Sequence, residues 1–445
     1  MKKRMLLGAL LLCLTIMLLP YESQAVPSYA RQVKKPCTAC HTIWPNLNQY
    51  GRQFKVKAYT DVNQDWEMIN KDNLNLMTTF PFSARVIYFP SVRQDGPGTG
   101  EGSTEIDAVQ LFVASRVYDY AGVFGSAEWS PDDGALHLPT VKVAFEYPLG
   151  EGNTVGLVAF KGLSASADPF NSLGGRDRDL SWGDESGPFV LGAGWTFNFF
   201  NESNIGEVVH GYFLGNRLYA AVGVMRGGNS DDALNSAGQT NPGGFDPAGG
   251  GGSTPTDVNT TDPNDWLYRV AWDQKLPNGA VTFGAAYYKG TQRVFFDTAG
   301  VQLIPYDAKV KRTYVDLSLE QNYGEDHMVE VQALYGSGKE TNVFGGLTGG
   351  DEERKFTGSY VQADYFYNRT VGLVASLNNI KFKDGTAGDP QPIDKMNSWL
   401  IGVDFLPWLN TKIALQHASV KTTFIDQVQP DQTDKITRVV MDVAF

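Results

Sequence analysis

The chain has 445 residues, of which 19% are charged and 12% are aromatic, and its formal net charge at pH 7 is -12. The acid excess disfavours a nucleic-acid-binding protein, and 20 Tyr, 25 Phe and 9 Trp disfavour a disordered chain. The length fits either two or three soluble domains or one large closed β structure.

Residues 1–25 have the pattern of an export signal. Three cations at positions 2–4 precede an apolar run from Met5 to Leu19, and Ser23-Gln24-Ala25 offers small residues for cleavage. No later run of 18 apolar residues predicts a transmembrane helix. We expect the mature chain to begin at Val26, with 34 Lys and Arg against 48 Asp and Glu, a net charge of -14.

The mature chain has two cysteines, and both lie in the stretch Cys37-Thr38-Ala39-Cys40-His41, which is C-x-x-C-H. This motif indicates covalent attachment of one c-type haem, in which each thiol adds to a vinyl group and His41 binds the iron as the proximal ligand. A redox disulfide or a zinc site is the alternative. A disulfide does not need His41, however, and zinc needs a fourth ligand from elsewhere.

The predicted haem segment, residues 26–73, is short for a cytochrome. It has fewer than fifty residues, so it cannot enclose all of the apolar haem surface. Either the rest of this chain or a partner must cover what remains. A short helix is predicted over residues 45–55, with Pro45 near its start.

The sequence does not fix the second axial ligand of the iron. Met68 and Met77 are the nearest soft donors, although methionine packs in cores more often than it ligates. A five-coordinate iron is a further alternative. The remaining histidines become candidates if the chain folds back, and they are His137, His210, His327 and His417.

Residues 74–445 have a dominant period of two. In the stretches 266–273, 312–320 and 398–405, an apolar or aromatic face alternates with a face that carries most of the charges. A soluble sandwich packs the apolar face inward, whereas an outer-membrane barrel turns it to lipid and its charges to a wet lumen.

The connections between these strands favour the outer-membrane barrel. Seven tight turns alternate with eight longer polar loops, as periplasmic turns alternate with extracellular loops in such barrels. Fifteen connections imply sixteen antiparallel strands, and the terminal Phe445 resembles the C-terminal aromatic signal of these proteins. The stretch Phe189–Phe200 is assigned to the third loop, as a plug or lid, because counting it as a strand breaks the even number. The turns are 118–121, 148–152, 214–217, 277–279, 323–326, 368–370 and 407–410, and the loops are 90–103, 131–138, 163–205, 227–264, 291–309, 338–354, 384–395 and 422–434.

Charge divides the mature chain into two parts. Residues 26–73 have seven basic and four acidic side chains, a net charge of +3, which leaves -17 for residues 74–445. A tethered cationic segment is attracted toward an acidic lumen, and a sixteen-stranded barrel is wide enough to hold a small plug. We therefore expect the haem segment to lie in the barrel lumen.

Several motifs in the predicted haem segment together resemble a known family. They lie between residues 27 and 59, and they resemble the fused monohaem cytochrome-porin family, the outer-membrane iron oxidases of iron-oxidising bacteria. The predicted strand number and the chain length fit that family along the rest of the sequence. Where the family commonly has Gly before a Tyr, this chain has Ala58, which we expect to alter a turn and not the haem. The matching residues are Pro27-Ser28-Tyr29-Ala30-Arg31-Gln32, Cys37 to His41, Pro45, Leu47, Asn48, Gly51, Arg52, Phe54, Lys55 and Tyr59.

The resemblance implies an Fe(II) oxidase in the bacterial outer membrane. Extracellular Fe(II) would give an electron to one covalently bound haem c, which would pass it to a periplasmic electron-carrier protein. Cys37 and Cys40 would tether the haem, and His41 would be the proximal iron ligand and the catalytic residue. Outer-membrane lipid would surround the barrel. The alternatives are a haem-bearing porin or electron conduit that uses a different extracellular donor, and a porin without haem whose two cysteines form a disulfide.

Overall fold

The computed structural model of the chain describes fourteen stretches of residues. The predicted export signal and the stretch Phe189–Phe200 lie outside them. Among the described residues, no helix is long and apolar enough to cross a membrane. The described stretches are 27–43, 46–60, 68–71, 74–77, 79–95, 103–129, 136–161, 205–226, 265–297, 303–341, 353–383, 393–408, 410–424 and 430–445.

The N-terminal part has short helices and two small hairpins. In chain order the elements are helix α1 (Pro27–Val33), a 3-10 turn (Cys37–Ala39), β1 (His41–Ile43), β2 (Asn46–Leu47), helix α2 (Gln49–Val56), β3 (Met68–Lys71) and β4 (Leu74–Met77). Strand β1 pairs with β2, and β3 pairs with β4, both antiparallel. The β3–β4 hairpin crosses the expected segment boundary at 73, and the first long strand starts at Phe82.

Sixteen antiparallel strands then close into one barrel, as predicted. Each strand pairs with its neighbours along the chain, and the last strand pairs with the first. The strands are β5 (Phe82–Asp95), β6 (Ser103–Tyr118), β7 (Ala121–Trp129), β8 (Leu136–Gly150), β9 (Asn153–Lys161), β10 (Ile205–Phe213), β11 (Leu218–Arg226), β12 (Asp265–Leu276), β13 (Gly279–Asp297), β14 (Leu303–Tyr323), β15 (His327–Thr341), β16 (Glu353–Tyr367), β17 (Val371–Lys383), β18 (Ile393–Trp408), β19 (Thr411–Phe424) and β20 (Gln432–Ala444).

Side chains alternate between the lumen and the outer surface along each strand. In β12, Trp266 and Tyr268 are 40% and 43% exposed, whereas Arg269 and Asp273 are 3% and 0% exposed. A barrel embedded in lipid has apolar and aromatic side chains on its outer surface and polar side chains in its lumen. The closed sheet also pairs the backbone polar groups of the strands, which lipid cannot do. The protein is therefore a β-barrel of the bacterial outer membrane.

All seven predicted tight turns join strands at one end of the barrel, here called the tight-turn end, which in such barrels faces the periplasm. The eight longer connections join strands at the other end. Several of the predicted loops were too long. The largest difference is at 291–309, because β13 continues to Asp297 and β14 starts at Leu303, and the loops at 90–103, 338–354 and 422–434 also overlap strand ends. Polar residues in these strand ends remain paired across the ladder. Polar residues in the sequence show where the apolar, lipid-facing band ends, but the strands continue to pair beyond that band.

Candidate haem site in the barrel lumen

The C-x-x-C-H motif occupies a tight loop between α1 and β1. Within it, the Ala39 N–H donates to the Pro36 carbonyl at 2.9 Å, and the Cys40 N–H donates to the Cys37 carbonyl at 3.1 Å. Cys37 and His41 are buried, and Cys40 is half-buried. Two thiols and an imidazole on five consecutive residues are the donor set for covalent attachment and axial ligation of a haem c.

Asn48 fastens this loop to helix α2. Its backbone N–H donates to the Cys40 carbonyl at 2.9 Å, and its side-chain amide donates to the carbonyls of Thr38 and Ala39 at 3.2 and 3.0 Å. The Asn48 side-chain oxygen accepts the Gly51 N–H at 2.9 Å, which makes Asn48 the N-cap of the helix. One side chain therefore organises both the motif loop and the helix that packs on it.

Gly51 allows α2 to approach the motif closely. A Cβ atom at this position would lie 2.1 Å from the Cys40 carbonyl oxygen, well inside contact distance. The predicted short helix is confirmed, but it begins at Gln49 and not close to Pro45. The helix begins at Gln49 because the Asn48 side chain accepts the Gly51 N–H and so caps the helix. A proline side chain has no acceptor atom and cannot act as such a cap.

Residues 27–43 and 46–60, here called the plug, lie inside the barrel near the tight-turn end. On one side they contact polar residues of strands β12 to β16, here called the charged wall and defined by Asp273, Thr282, Glu320 and Asp364. On the other side they contact strands β6 to β8, here called the socket wall and defined by Ala114, Gly122, Val123 and Lys142.

Arg52 is the main contact between the plug and the charged wall. Its guanidinium lies 3.1 Å from a Glu320 oxygen and 3.7 Å from an Asp273 oxygen, and it donates to the Thr282 hydroxyl at 3.3 Å. It also donates to the Leu47 carbonyl at 2.8 Å, within the plug. Burial on its own lowers the pKa of Arg52, but the attraction of Glu320 and Asp273 outweighs burial and raises that pKa above its ordinary value.

Glu320 receives further hydrogen bonds from the plug. The Thr42 hydroxyl donates to one carboxylate oxygen at 2.8 Å, and the Gln49 N–H donates to the other at 2.9 Å. With Arg52, three groups of the plug therefore converge on one buried carboxylate. A buried carboxylate needs such charge-assisted hydrogen bonds to offset its loss of water.

Aromatic packing dominates at the socket wall. The rings of Tyr29 and Tyr59 stack with centroids 4.5 Å apart, and the Lys142 ammonium lies 4.5 Å from the centre of the Tyr59 ring. The Tyr29 hydroxyl donates to the Val123 carbonyl at 3.0 Å. Burial raises the pKa of the Tyr29 and Tyr59 phenols, so both remain protonated.

A glycine of the socket wall accepts the plug backbone. Ala58 and Tyr59 have positive φ angles of 55° and 58°, and this turn directs the Ala58 carbonyl at Gly122. A Cβ atom on Gly122 would lie 1.9 Å from the Ala58 oxygen. Ala58 is the residue that replaces the glycine common in the family, and it lies in a turn with a left-handed backbone conformation, which favours glycine.

The environment of Cys37 is apolar and lies at the tight-turn end. Cys37 packs in one buried cluster with Met328, Phe366, Leu406 and Ala444. These side chains come from the barrel wall, so the wall itself supplies apolar surface beside a motif that is too short to enclose a haem. The donor set, the hydrogen-bonded loop and this apolar surface together fit a covalently attached haem c.

The two methionine candidates for the distal ligand are brought together. Met68 and Met77 are direct register partners across the β3–β4 hairpin. Their side chains lie outside those that the structure describes, and the same holds for His137, so the choice of ligand stays a prediction.

The other described histidines lie on different faces of the barrel wall. His327 is exposed and bonds to the Tyr365 hydroxyl at 2.7 Å, and His417 packs edge-on against the outward-facing Trp399. Both face away from the lumen, which makes them unsuitable as ligands for a haem inside it. His210 faces the lumen and is buried.

Sequence reasoning missed the charged wall and Gly122. Strand parity placed Glu320 and Asp316 on the charged face, but parity does not say which lumen residues meet the plug. Arg52 was recognised only as part of a family motif. A basic residue on the helix that follows the motif, combined with an acidic lumen, was the available signal for this contact.

The sequence matches no protein-family model and no curated protein. Solved structures of similar fold include OmpF of Salmonella typhi in complex with daunomycin, at 12% identity and a TM-score of 0.48, which covers 85% of this chain and 100% of that chain. An anion-selective porin from Comamonas acidovorans has 13% identity and a TM-score of 0.47, and the match covers 82% of this chain and 98% of the porin. OmpT, an outer membrane protein of Vibrio cholerae, has 10% identity and a TM-score of 0.47, and the match covers 85% of this chain and 100% of OmpT. At these values the likeness carries no information on what this chain binds.

Proposed function

We propose that the protein is an outer-membrane cytochrome-porin that oxidises extracellular Fe(II) at a single haem c and passes the electron to a periplasmic carrier protein. The observation that carries this proposal is the position of the C-x-x-C-H loop, which the plug holds inside a membrane barrel, near the end that faces the periplasm. The resemblance of the plug motifs to the fused monohaem cytochrome-porin family supports the same reading.

Each residue of the motif has a defined task in this proposal. Cys37 and Cys40 form the thioether tethers, and His41 provides the proximal imidazole, held by the pairing of β1 with β2. When bound, the haem supplies a one-electron carrier within the thickness of an otherwise insulating membrane. The apolar cluster around Cys37 excludes water from one side of the site. In the net reaction, Fe(II) outside loses one electron and the carrier gains it, with no transfer of atoms.

The fixed plug favours the passage of electrons over the passage of solutes. A diffusion porin needs an open, water-filled lumen. Here a charged wall and a socket wall both hold the plug across the lumen, through Arg52 on one side and through Tyr29 and Tyr59 on the other. Oxidation outside the cell also keeps the poorly soluble Fe(III) product away from the periplasm.

The test is electron transfer across a closed membrane. Wild-type protein is reconstituted into vesicles that contain ferric horse-heart cytochrome c, and Fe(II) is added outside without oxygen. We expect the internal cytochrome to be reduced by the wild type, and not by the matched Cys37→Ser/Cys40→Ser double variant, which keeps the barrel but lacks the tethers.

Two results would overturn parts of the proposal. If denatured wild-type protein shows no covalent haem spectrum, the cofactor assignment is wrong. If dithionite reduces the haem of the purified protein but Fe(II) does not, the substrate is wrong, and the protein is a haem-bearing porin or conduit for a different donor.

A further inference from the structure

Two titratable side chains of the lumen wall, Glu146 and His210, face each other. Glu146 of β8 and His210 of β10 have side chains that are 3% and 2% exposed, with a carboxylate oxygen 3.7 Å from the ring Nδ1. Neither ring nitrogen of His210 has a hydrogen-bond partner among the described residues, and Glu146 has the Thr154 hydroxyl as a hydrogen-bonding neighbour. Buried polar groups left in this state cost free energy, so the pair is incomplete as it stands.

A glycine brings the two side chains together. Gly156 of β9 is the register partner of both Glu146 and His210, and so lies between them on the lumen face. A Cβ atom there would lie 1.9 Å from a Glu146 oxygen and 2.8 Å from a His210 ring carbon. Any other residue at 156 would separate the carboxylate from the imidazole.

We propose that Glu146 and His210 bind one divalent transition-metal ion. A carboxylate oxygen and an imidazole nitrogen are ligands that Zn(II), Mn(II) and Fe(II) accept. Two donors each about 2.1 Å from an ion in tetrahedral geometry lie roughly 3.4 Å apart, close to the separation of the pair. The site needs only a small adjustment of either side chain to close around an ion.

The ion keeps open coordination positions at this site. No described group of three or more His, Cys, Asp and Glu side chains is arranged to hold a metal. The hydroxyl of Thr154 faces Glu146, and the Tyr212 hydroxyl, also buried without a hydrogen-bond partner, follows His210 on the same face of β10. A site with two strong protein donors and open positions binds an exchangeable ion, in contrast to a closed structural zinc site.

Two lysines lower the affinity of this site and make it testable. Lys142 lies on the lumen face of β8, four residues before Glu146, and acts electrostatically on His210, while Lys57 of the plug acts on Glu146. Both repel a divalent cation. Removal of the Lys142 charge should therefore strengthen metal binding, an effect that a purely structural role of the pair would not produce.

The experiment uses the full-length, haem-loaded protein in detergent. The protein is incubated with Zn(II), which is redox-inert, and bound zinc per chain is measured after gel filtration. We expect one zinc in the wild type, binding weakened roughly tenfold or more in Glu146→Gln and in His210→Asn, and binding strengthened several-fold in Lys142→Met. Glu128→Gln is the matched control, because Glu128 is a carboxylate of the neighbouring strand that already accepts a hydrogen bond from Gln110.

The proposal is overturned if the wild type binds no zinc, or if Glu146→Gln and His210→Asn bind it as the control does. Heat-modifiable gel migration shows whether each variant has a folded barrel. If His210→Asn does not fold, the nearly isosteric Glu146→Gln decides. Zinc accepts no electron from the haem, so either result leaves the Fe(II) oxidase proposal standing, and failure of that proposal leaves this one standing.

Discussion

The two walls of the lumen hold the plug by different physical means. The charged wall offers buried carboxylates that need a cation and hydrogen-bond donors, and Arg52, Thr42 and Gln49 supply them. The socket wall offers a gap at Gly122, which the Ala58 carbonyl enters, and aromatic side chains of the plug such as Tyr29 pack on the same wall. The first contact depends mainly on charge and the second mainly on shape, so single substitutions should affect them to different extents.

Loss of the buried cation should have the largest effect. Arg52→Met leaves Glu320 and Asp273 in the wall without their charge partner, which typically costs about 3–5 kcal/mol. We expect faster hydrogen exchange across residues 27–60 and a new ion conductance in planar bilayers. Arg85→Met is the control, because it removes another lumen arginine, one that pairs with Asp442 of the neighbouring strand. A plug that stays protected in Arg52→Met contradicts the importance of the charged wall.

An added methyl group at the socket wall should have the next largest effect. Gly122→Ala forces the Ala58 carbonyl away from the wall, and overpacking of this kind costs about 1–3 kcal/mol. Protease cleavage within the plug should become faster. Gly125→Ala lies on the same strand, where a Cβ would be 3.8 Å from the Thr140 carbonyl, and should leave cleavage unchanged. Equal cleavage of the two variants would show that shape does not matter at Gly122.

A methyl group at Gly51 tests a contact inside the plug. Gly51→Ala places a Cβ against the Cys40 carbonyl and should push α2 away from the motif loop, at a cost of about 1–3 kcal/mol. We expect a lower yield of covalent haem per folded barrel, measured by haem absorbance against protein. Unchanged haem content in Gly51→Ala would mean that the loop forms without this packing.

The smallest effect should be a gain in stability. Ala58 is held at a φ of 55°, where a residue with a Cβ is strained by roughly 1 kcal/mol, and Ala58→Gly relieves that strain. Protease cleavage of the plug should become slower than in the wild type. A faster rate would show that the buried Ala58 methyl group contributes more than the strain costs.

The barrel could be predicted from sequence because its signals are local. Alternation along stretches such as 266–273 gives the two faces of a strand, and short turns alternating with long loops give the even strand number. The exact ends of β13 and β14 were missed, since hydrogen-bonded pairing continues through polar residues beyond the membrane.

The lumen contacts could not be predicted, because they depend on the stagger of the closed sheet. Glu320 and Asp273 lie far apart in the sequence, yet both meet Arg52, and nothing in the spacing of the strands indicates that meeting. The same holds for Glu146 and His210, which meet across Gly156. The residues proposed as haem tethers and ligand, Cys37, Cys40 and His41, could be proposed from the sequence because they lie together in one short motif.

The position of Cys37 has a consequence for biogenesis. Its apolar surroundings include Ala444 at the very end of the chain, and the terminal Phe445 exchanges backbone hydrogen bonds with Ala84 of β5 where the sheet closes. Because the chain is secreted from its N-terminus, Cys37 leaves the inner membrane well before Ala444, which packs against it in the folded protein. If the proposed haem is attached to Cys37, attachment would therefore come before the seam at Phe445 closes and buries that thiol, so cofactor loading would precede barrel closure.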